Sequence, residues 1–221
     1  MKKSVINIFK EYNPISAYWA GFLAADGRVD INGTIGLELQ ERDAKAIHQF
    51  KSDVMSEHAV YFREDTRAYS IRFVDRDIAE SLYFNYSVSV AKTHDLVFPI
   101  IPPELYPHYL RGHFDGDGCF TEFFNNRPTA SYRVYITSGS YSFLEDMAEF
   151  LIQAGITRGR SICKKSANCW HIQYGVKDAA AFLNYIYCNN SIDADHRLDR
   201  KYDKYVSIVI NGNRAVREIK V

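Results

Sequence analysis

The chain has 221 residues, of which 47% are apolar and 14% aromatic, a composition typical of a folded globular protein and not of a disordered one. No apolar run approaches the ~18 residues that a membrane-spanning helix needs, and the stretch MKKSVINIFKEYNP is too interrupted for a secretory signal, so we expect a protein of the cytoplasm or of an organellar matrix that is not secreted. The formal net charge is zero, with 27 basic against 27 acidic residues, which argues against nucleic-acid binding unless the basic groups gather on one face.

The first half of the chain predicts a helix, a hairpin, a second helix, a second hairpin and a third helix. PISAYWAGFLAA (14–25) begins with proline, which suits the start of a helix. The hairpin RVDINGTIGLELQ follows, with Asn32-Gly33 at its tip as a two-residue turn signal. AVYFREDTRAYSIRFV predicts the second hairpin, and a helix near residues 77–86 closes the unit. The helix between the hairpins has an apolar stripe formed by Ile47, Phe50, Val54 and Met55.

The same order of elements repeats after a proline-rich linker. VFPIIPPELYP (97–107) contains four prolines, which neither a helix nor a central strand tolerates. It separates a first unit at 1–97 from a second at 98–206, in which the helix PELYPHYLRGHF and the hairpins CFTEFFNNRPTASYRVYIT and RSICKKSANCWHIQYGV match those of the first. Residues 207–221 are a tail that either adds a strand or frays.

Two aspartates occupy matching places at the ends of the first helices of the two units. Asp26 and Asp117 are each followed by a glycine, Gly27 or Gly118, that we expect to take the left-handed conformation that ends a helix. Carboxylates at two helix C-termini lie at the negative poles of the helix dipoles and repel each other, and a hard divalent cation such as Mg²⁺ relieves both conflicts. Asp-Gly alone is a common turn pair, but two copies at matching places favour a metal site. Small residues inside the two helices would let their backbones approach: Ala20, Gly21 and Gly112.

Two stretches of the sequence resemble the motifs of a known family. WAGFLAADG (19–27) and LRGHFDGDG (110–118) are similar to the paired motifs of the LAGLIDADG homing endonucleases of the single-chain type. The resemblance covers roughly residues 14–206 and includes VAKTHDLVFPIIPPEL, which is similar to the linker of these enzymes. It implies an α+β fold of two pseudo-symmetric αββαββα halves, with the motif helices packed at the centre and antiparallel sheets forming a saddle over DNA.

The resemblance also implies the roles of particular residues. The last aspartate of each motif, Asp26 or Asp117, would bind a divalent metal, with Mg²⁺ expected, Mn²⁺ also active, and Ca²⁺ bound without supporting cleavage. The carbonyl groups just before them would complete the metal shell: Ala25 and Gly116. A basic residue near the phosphates and a water-ordering residue in each half would complete the catalytic set: Lys92, Lys201, Gln40 and Ser138. The earlier acidic position of the motif is Asp115 in the second copy but Ala24 in the first, so the two active sites need not be equivalent.

Alternation along the predicted strands defines an outward face. In TIGLELQ, Ile35, Leu37 and Leu39 point toward the core and the polar residues point away. Such a face suits the major groove, where Arg and Lys read guanine, Gln and Asn read adenine, and acids accept from cytosine, although an ordinary solvated sheet face is the alternative. The predicted DNA-binding residues are Arg28, Asp30, Asn32, Glu38, Gln40, Arg63, Arg67, Ser70, Arg72, Asn125, Arg127, Arg133, Tyr135, Lys164, Lys165, His171 and Gln173.

These features predict a site-specific double-strand DNA endonuclease that acts as a monomer on a long, pseudo-palindromic or asymmetric target and has no membrane partner. It would hydrolyse one phosphodiester in each strand across the minor groove, leave short 3′ overhangs, and spread a mobile intron or intein. The alternative is an intron maturase or a DNA-binding regulator on the same scaffold without cleavage. A small metal-dependent enzyme that acts on metabolites is disfavoured, because the sequence has neither a phosphate-cradling loop nor a cofactor motif.

Overall fold

The first half of the chain contains the expected elements in the expected order. The structure is a computed structural model that describes residues 4–88, 95–123, 131–188 and 196–211. The elements of the first half are helix α1 (Pro14–Ala25), strands β1 (Arg28–Val29) and β2 (Thr34–Gln40), helix α2 (Ala44–Asp53), strands β3 (Val60–Arg63) and β4 (Ala68–Val74), and helix α3 (Arg76–Tyr86).

The second half repeats this order and adds a short helical segment. Its elements are helix α4 (Tyr106–Asp117), strands β5 (Gly118–Phe123) and β6 (Ser131–Ser138), helix α5 (Tyr141–Gln153), strands β7 (Ile162–Ser166) and β8 (Cys169–Tyr174), and helix α6 (Val176–Tyr187). Helix α7 (Asp199–Tyr205) and a π-helical turn (Val206–Asn211) follow. The predicted α+β class and the duplication are confirmed, and the limits 1–97, 98–206 and 207–221 stay a prediction.

Each half builds one four-stranded antiparallel sheet with the same strand order. The orders are β1-β2-β4-β3 and β5-β6-β8-β7. In the first sheet Glu38 lies opposite Ser70, which in turn lies opposite Tyr61. In the second sheet Tyr135 lies opposite Gln173. These registers put the alternating polar residues of neighbouring strands on one face, as the sequence predicts.

Helices α1 and α4 occupy the centre of the molecule. The start of α1 is fixed by a capping box, in which the Asn13 side chain accepts from the Ser16 N–H (2.9 Å) and the Ser16 hydroxyl accepts from the Asn13 N–H (3.1 Å). Residues 16–24 of α1 and residues 106–115 of α4 are all buried. A helix that is buried on every side belongs to a core and not to a surface.

Glycine lets the two central helices pack backbone against backbone. A Cβ atom placed at Gly21 would overlap the carbonyl oxygen of Tyr109, and one placed at Gly112 would overlap the carbonyl oxygen of Tyr18. At the far end of the pair, a Cβ at Gly116 would lie 2.5 Å from that of Ala25. The predicted close approach of the motif helices is confirmed.

Some local predictions are wrong for identifiable reasons. Neither Gly27 nor Gly118 has a positive φ angle; instead, a Cβ at Gly27 would overlap the side chain of Leu23, and one at Gly118 would overlap Phe114. The glycines therefore let each strand begin directly against the preceding helical turn.

Met55 is 64% exposed and has a φ angle of 45°, because it lies beyond the end of α2 and is not part of the apolar stripe of that helix. Residues 206–211 continue α7 and bury Val209, so this part of the predicted tail neither adds a strand nor frays, and residues 212–221 lie outside the described residues.

Candidate metal centre and nucleic-acid face

The two motif aspartates lie at the same end of the central helix pair, where Gly116 of α4 packs against Ala25 and Asp26 of α1. Asp26 is the C-cap of α1, where its N–H donates to the carbonyl groups of Leu23 and Phe22, and Asp117 is the last residue of α4. A Cβ at Gly116 would lie 3.3 Å from the Cβ of Asp26, so the residue next to Asp117 contacts Asp26 directly. Both aspartates are exposed, Ala25 and Gly116 before them are half-buried, and the helical residues up to Ala24 and Asp115 are buried.

The groups at this end are of the kind that a hard cation binds. Among the residues that the structure describes, no group of three or more His, Cys, Asp or Glu residues is arranged to hold a metal ion. A site here would therefore consist of the Asp26 and Asp117 carboxylates with the carbonyl groups of Ala25 and Gly116, which lie at the same helix ends. Mg²⁺ fits such a site, because it commonly binds one or two carboxylates and takes its other oxygens from water and phosphate.

A cleft joins Asp26 to the outward face of the first sheet. Its volume is about 350 Å³, and it is lined by Asp26, Arg28, Glu38, Ser70 and Arg72 together with Gly27, Gly36, Leu37 and Ile71. Gly36 lies between Arg28 and Arg72 in the sheet register, and its missing side chain opens the space between the two arginines. Four of the predicted DNA-binding residues therefore surround the predicted metal ligand.

The two acidic positions of the second motif lie in opposite environments. Asp115 is buried and accepts hydrogen bonds from the hydroxyls of Tyr18 (3.0 Å) and Tyr187 (3.2 Å) and from the Leu198 N–H (2.8 Å). Burial raises the pKa of the Asp115 carboxyl above its ordinary value. Asp115 is thus a structural acid, and the first half has the apolar Ala24 at the matching position.

Lys201 is buried against the end of α4. Its ammonium donates to the carbonyl oxygens of Phe114 (2.5 Å), Asp115 (2.8 Å) and Gly118 (2.6 Å), on both sides of Asp117 in the chain. Burial lowers the pKa of Lys201 to about 8, and the nearby Asp115 charge opposes this shift. A cation at a helix C-terminus is favourable for the helix dipole. Lys92, its predicted counterpart, lies outside the described residues.

The two predicted water-ordering residues lie in different surroundings. Gln40 is exposed at the end of β2, two residues beyond Glu38, which lines the cleft at Asp26. Ser138 is buried, and its hydroxyl accepts from the Ser140 N–H (3.1 Å) at the start of α5. This position disagrees with a role for Ser138 in ordering water, because the neighbouring Thr137 is the residue that shares a face with Tyr135 and Arg133.

The outward face of the first sheet carries charge of both signs. Arg28, Arg63, Arg67 and Arg72 are exposed; Arg63 pairs with Glu38 (3.6 Å) and Asp65 (3.0 Å), and Arg67 pairs with Glu41. Asp30 instead holds the hairpin, since its carboxylate accepts from the N–H groups of Asn32 and Thr34, and these bonds, the one from Thr34 above all, lower its pKa. Tyr61, which the sequence analysis passed over, is exposed opposite Ser70 on this face.

The second sheet has a comparable outward face, on which the Arg133 guanidinium lies 4.6 Å from the centre of the Phe123 ring. Lys164 instead lies opposite Trp170 in the register, on the face that packs against the helices, with its ammonium 5.6 Å from the centre of the Trp170 ring. This position disagrees with its predicted place on the outward face, because directly opposite residues of paired strands share a face. The remaining predicted residues of this face that the structure describes are half-buried or exposed: Tyr135, Lys165, His171 and Gln173. Asn125 and Arg127 lie outside the described residues.

Comparison with known proteins confirms the resemblance in fold. Residues 104–187 match the family model of the LAGLIDADG-like domain. Solved structures with similar folds include the I-SmaMI LAGLIDADG homing endonuclease bound to cleaved DNA (TM-score 0.59, 12% identity, 100% of this chain and 97% of that chain covered). Two other similar structures are meganuclease I-SmaMI bound to uncleavable DNA (TM-score 0.57, 12% identity, 92% of this chain and 97% of that chain covered) and LAGLIDADG meganuclease I-AabMI bound to uncleaved DNA (TM-score 0.53, 13% identity, 95% and 98% covered).

A search of curated proteins finds no match. Within the described ranges, no helix is long and apolar enough to cross a bilayer.

Proposed function

We propose that this chain, which has the two-halved fold of the single-chain LAGLIDADG meganucleases, is a site-specific double-strand DNA endonuclease. The observation that carries the proposal is that Asp26 and Asp117, both exposed, lie at the same end of the closely packed α1–α4 pair, with Asp26 in a cleft lined by Arg28 and Arg72. Two carboxylates held close together repel each other, and a bound cation relieves this repulsion without protonation of either group. The adjacent arginines offer the positive charge that a phosphate backbone requires.

The residues at the helix ends would hold a divalent metal and direct it to the DNA. Asp26 and Asp117 supply the carboxylates, and Ala25 and Gly116 supply the carbonyl oxygens. Mg²⁺ is the proposed ion, with Mn²⁺ as an active substitute and Ca²⁺ as an inactive one; when bound, the metal lowers the pKa of water and stabilises negative charge on phosphate. Rigid packing of the two helices through Gly21 and Gly112 fixes the spacing of the carboxylates.

Cations near the metal would stabilise charge that develops on the phosphate. The buried Lys201 ammonium donates to three carbonyl oxygens, so it would act through its charge beside Asp117 and not by contact with the phosphate. Lys92 is proposed to supply positive charge in the first half. Gln40 is proposed to order water near Asp26. The buried state of Asp115 leaves it no direct contact with DNA, so the difference between Ala24 and Asp115 does not remove a metal ligand from either site.

The two sheet faces would bind the DNA on either side of the metal. Arg28 and Arg72 in the first sheet, and Arg133 in the second, would contact phosphates or guanine edges. The proposed reaction cuts one phosphodiester in each strand across the minor groove and leaves short 3′ overhangs. A single chain that holds both motif helices would act as a monomer.

Cleavage of the chain's own insertion site tests the proposal. Plasmid DNA that spans the uninterrupted form of this site is incubated with the protein and Mg²⁺, and we expect linear product. Asp26→Asn and Asp117→Asn should abolish cleavage and retain binding, because each removes the charge of a metal ligand while keeping its size. Asp146→Asn, on the exposed side of α5, is the matched control and should cleave normally.

Three outcomes would contradict the proposal. Normal cleavage by both variants at the motif acids would show that these residues do not bind the metal. Binding of the DNA without cleavage by the parent protein would favour a regulator on this scaffold. Specific binding of the intron RNA with no cut in DNA would favour a maturase.

A further inference from the structure

The segment that carries Lys201 also contacts the opposite half of the molecule. Residues 196–205 include α7 and follow the last helix of the second half. The Arg200 guanidinium donates to both carboxylate oxygens of Asp43 in the first half, at 2.9 Å from Nε to Oδ1 and 2.9 Å from Nη2 to Oδ2. His196 Nε2 lies 2.8 Å from Asp53 Oδ2, which also accepts from the indole N–H of Trp19 (2.6 Å). The segment is thus attached at two points to the start and the end of α2.

The contacts between this segment and α2 differ in how far their side chains are buried. The Asp43 side chain is only 7% exposed and accepts a two-pronged bond from Arg200, whose side chain is 40% exposed. The third charged pair, Lys45 with Asp199 (2.8 Å), is largely exposed on both sides, and such pairs contribute little. Arg200 and Asp43 therefore form the contact whose loss would release the segment, while Lys45 offers a matched control.

The same segment also forms hydrogen bonds with the C-terminal end of α4, where Asp117 lies. The Leu198 N–H donates to the buried Asp115, the Lys201 ammonium donates to three carbonyl oxygens around Asp117, and the Lys204 ammonium donates to the Phe120 carbonyl (2.6 Å). Arg200 and Lys201 are neighbours in sequence with side chains committed to different halves. Movement of α7 away from α2 would therefore displace Lys201 from the end of α4.

We infer that Asp43 and Arg200 are positioning residues for the catalytic site of the second half, and that the first half of the chain sets the placement of Lys201 through them. This inference rests on the proposed function, in which Lys201 serves the phosphodiester of one strand. Loss of the pair would slow hydrolysis of that strand and leave the other strand, which Lys201 does not serve, close to its normal rate. A merely structural role would slow both strands equally.

Strand-resolved cleavage tests the inference. The two DNA strands carry different end labels, and the rate constant of each cut is measured for the parent, Arg200→Met, Asp43→Asn and the control Lys45→Met. We expect one strand to be cut about tenfold more slowly or worse in the first two variants, with nicked DNA accumulating, while Lys45→Met cuts both strands normally. Arg200→Lys, which keeps the charge without the two-pronged geometry, should recover part of the lost rate. An equal fall in both strands, or no fall in either, would overturn the inference.

Amide hydrogen exchange decides the same point without DNA. In the folded protein, Arg200→Met should speed exchange of the backbone N–H groups of residues 115–120, where Lys201 and Leu198 bind, whereas Lys45→Met should not. If the parent protein cuts no DNA, the proposed function fails, and the exchange result still shows whether Asp43 and Arg200 hold this region. Unchanged exchange in Arg200→Met would refute the positioning role even if cleavage is affected.

Discussion

Asp115 and Asp117 show how two identical side chains take different roles within one turn of helix. A helix rotates by about 200° over two residues, so one carboxylate points into the core and the other toward solvent. Asp115 receives three donors and organises the interior, and Asp117 faces the place where a cation would bind. The chemistry of the site thus depends on helical phase as much as on residue type.

Burial of Lys201 predicts that the protein becomes more stable as the pH rises from about 8 to about 10. The folded chain releases this proton with a pKa of about 8, against an ordinary value of 10.5, so the unfolded chain binds more protons in this range. The free energy of unfolding should increase by about 2 kcal/mol over the range. Urea unfolding at a series of pH values measures it.

Lys201→Met is the control for this pH dependence. The variant lacks the titrating group, so its free energy of unfolding should rise less steeply with pH, whatever its absolute stability. Equal slopes in the parent and the variant would show that Lys201 is not the group responsible.

At the residue scale, residues in the duplicated motif could be predicted from the sequence, whereas contacts between residues far apart in the chain could not. The position of Asp26 and Asp117 at matching helix ends could be predicted, because each follows a helical run in a duplicated motif. Asp43 and Arg200 are separated by 157 residues and have no counterpart motif, so nothing local indicates that they meet. The burial of Ser138 likewise depends on the hydrogen bond to the start of α5, which strand alternation does not reveal.

The α1–α4 pair is the element on which the proposed metal site depends most directly. Its glycines are tolerated inside helices, where each costs about 0.5–1 kcal/mol relative to alanine, because they let two backbones touch.

The order of hairpins and helices could be predicted from periodicity and from turn residues such as Asn32-Gly33. The contact of Gly27 with Leu23, and of Gly118 with Phe114, could not, since it depends on the direction that each strand takes after its helix.

Gly21→Ala should destabilise the protein although alanine favours helices. The added methyl would overlap the Tyr109 carbonyl oxygen and force the helices apart, with a net loss of about 2 kcal/mol in the free energy of unfolding. Gly159→Ala is the matched control, because nothing lies within 4 Å of its Cβ position, and its effect should stay within about 0.5 kcal/mol. Thermal or urea unfolding of both variants provides the measurement, and equal stabilities would contradict the packing argument.

Across the whole molecule, zero net charge coexists with a face suited to DNA. The cleft beside Asp26 is lined by Arg28 and Arg72 together with Glu38, whereas Glu145 and Glu149 lie on α5 and pair with Arg160. Net charge therefore says little about binding, because the field near a phosphate depends on the nearest groups.

Binding of DNA should weaken steeply with salt in spite of the zero net charge. In Ca²⁺, which is expected to support binding without cleavage, the logarithm of the affinity should fall linearly with the logarithm of the salt concentration, and Arg72→Gln should reduce the slope by about 0.9 for a lost phosphate contact. Arg158→Gln, whose guanidinium pairs with Asp178, is the control and should keep the slope. Fluorescence anisotropy between about 50 and about 200 mM salt measures both. A salt-independent affinity would contradict the assigned face.

The attachment of α7 to both halves limits how this chain can be recombined. A hybrid that joined residues 1–97 of this chain to the second half of another protein would lose the partner of Asp43, and the reverse hybrid would lose that of Arg200. The halves are duplicated in architecture but not interchangeable as modules. A hybrid made by exchange at the proline-rich linker would therefore have to keep Asp43 and Asp53 of one half together with residues 196–205 of the other.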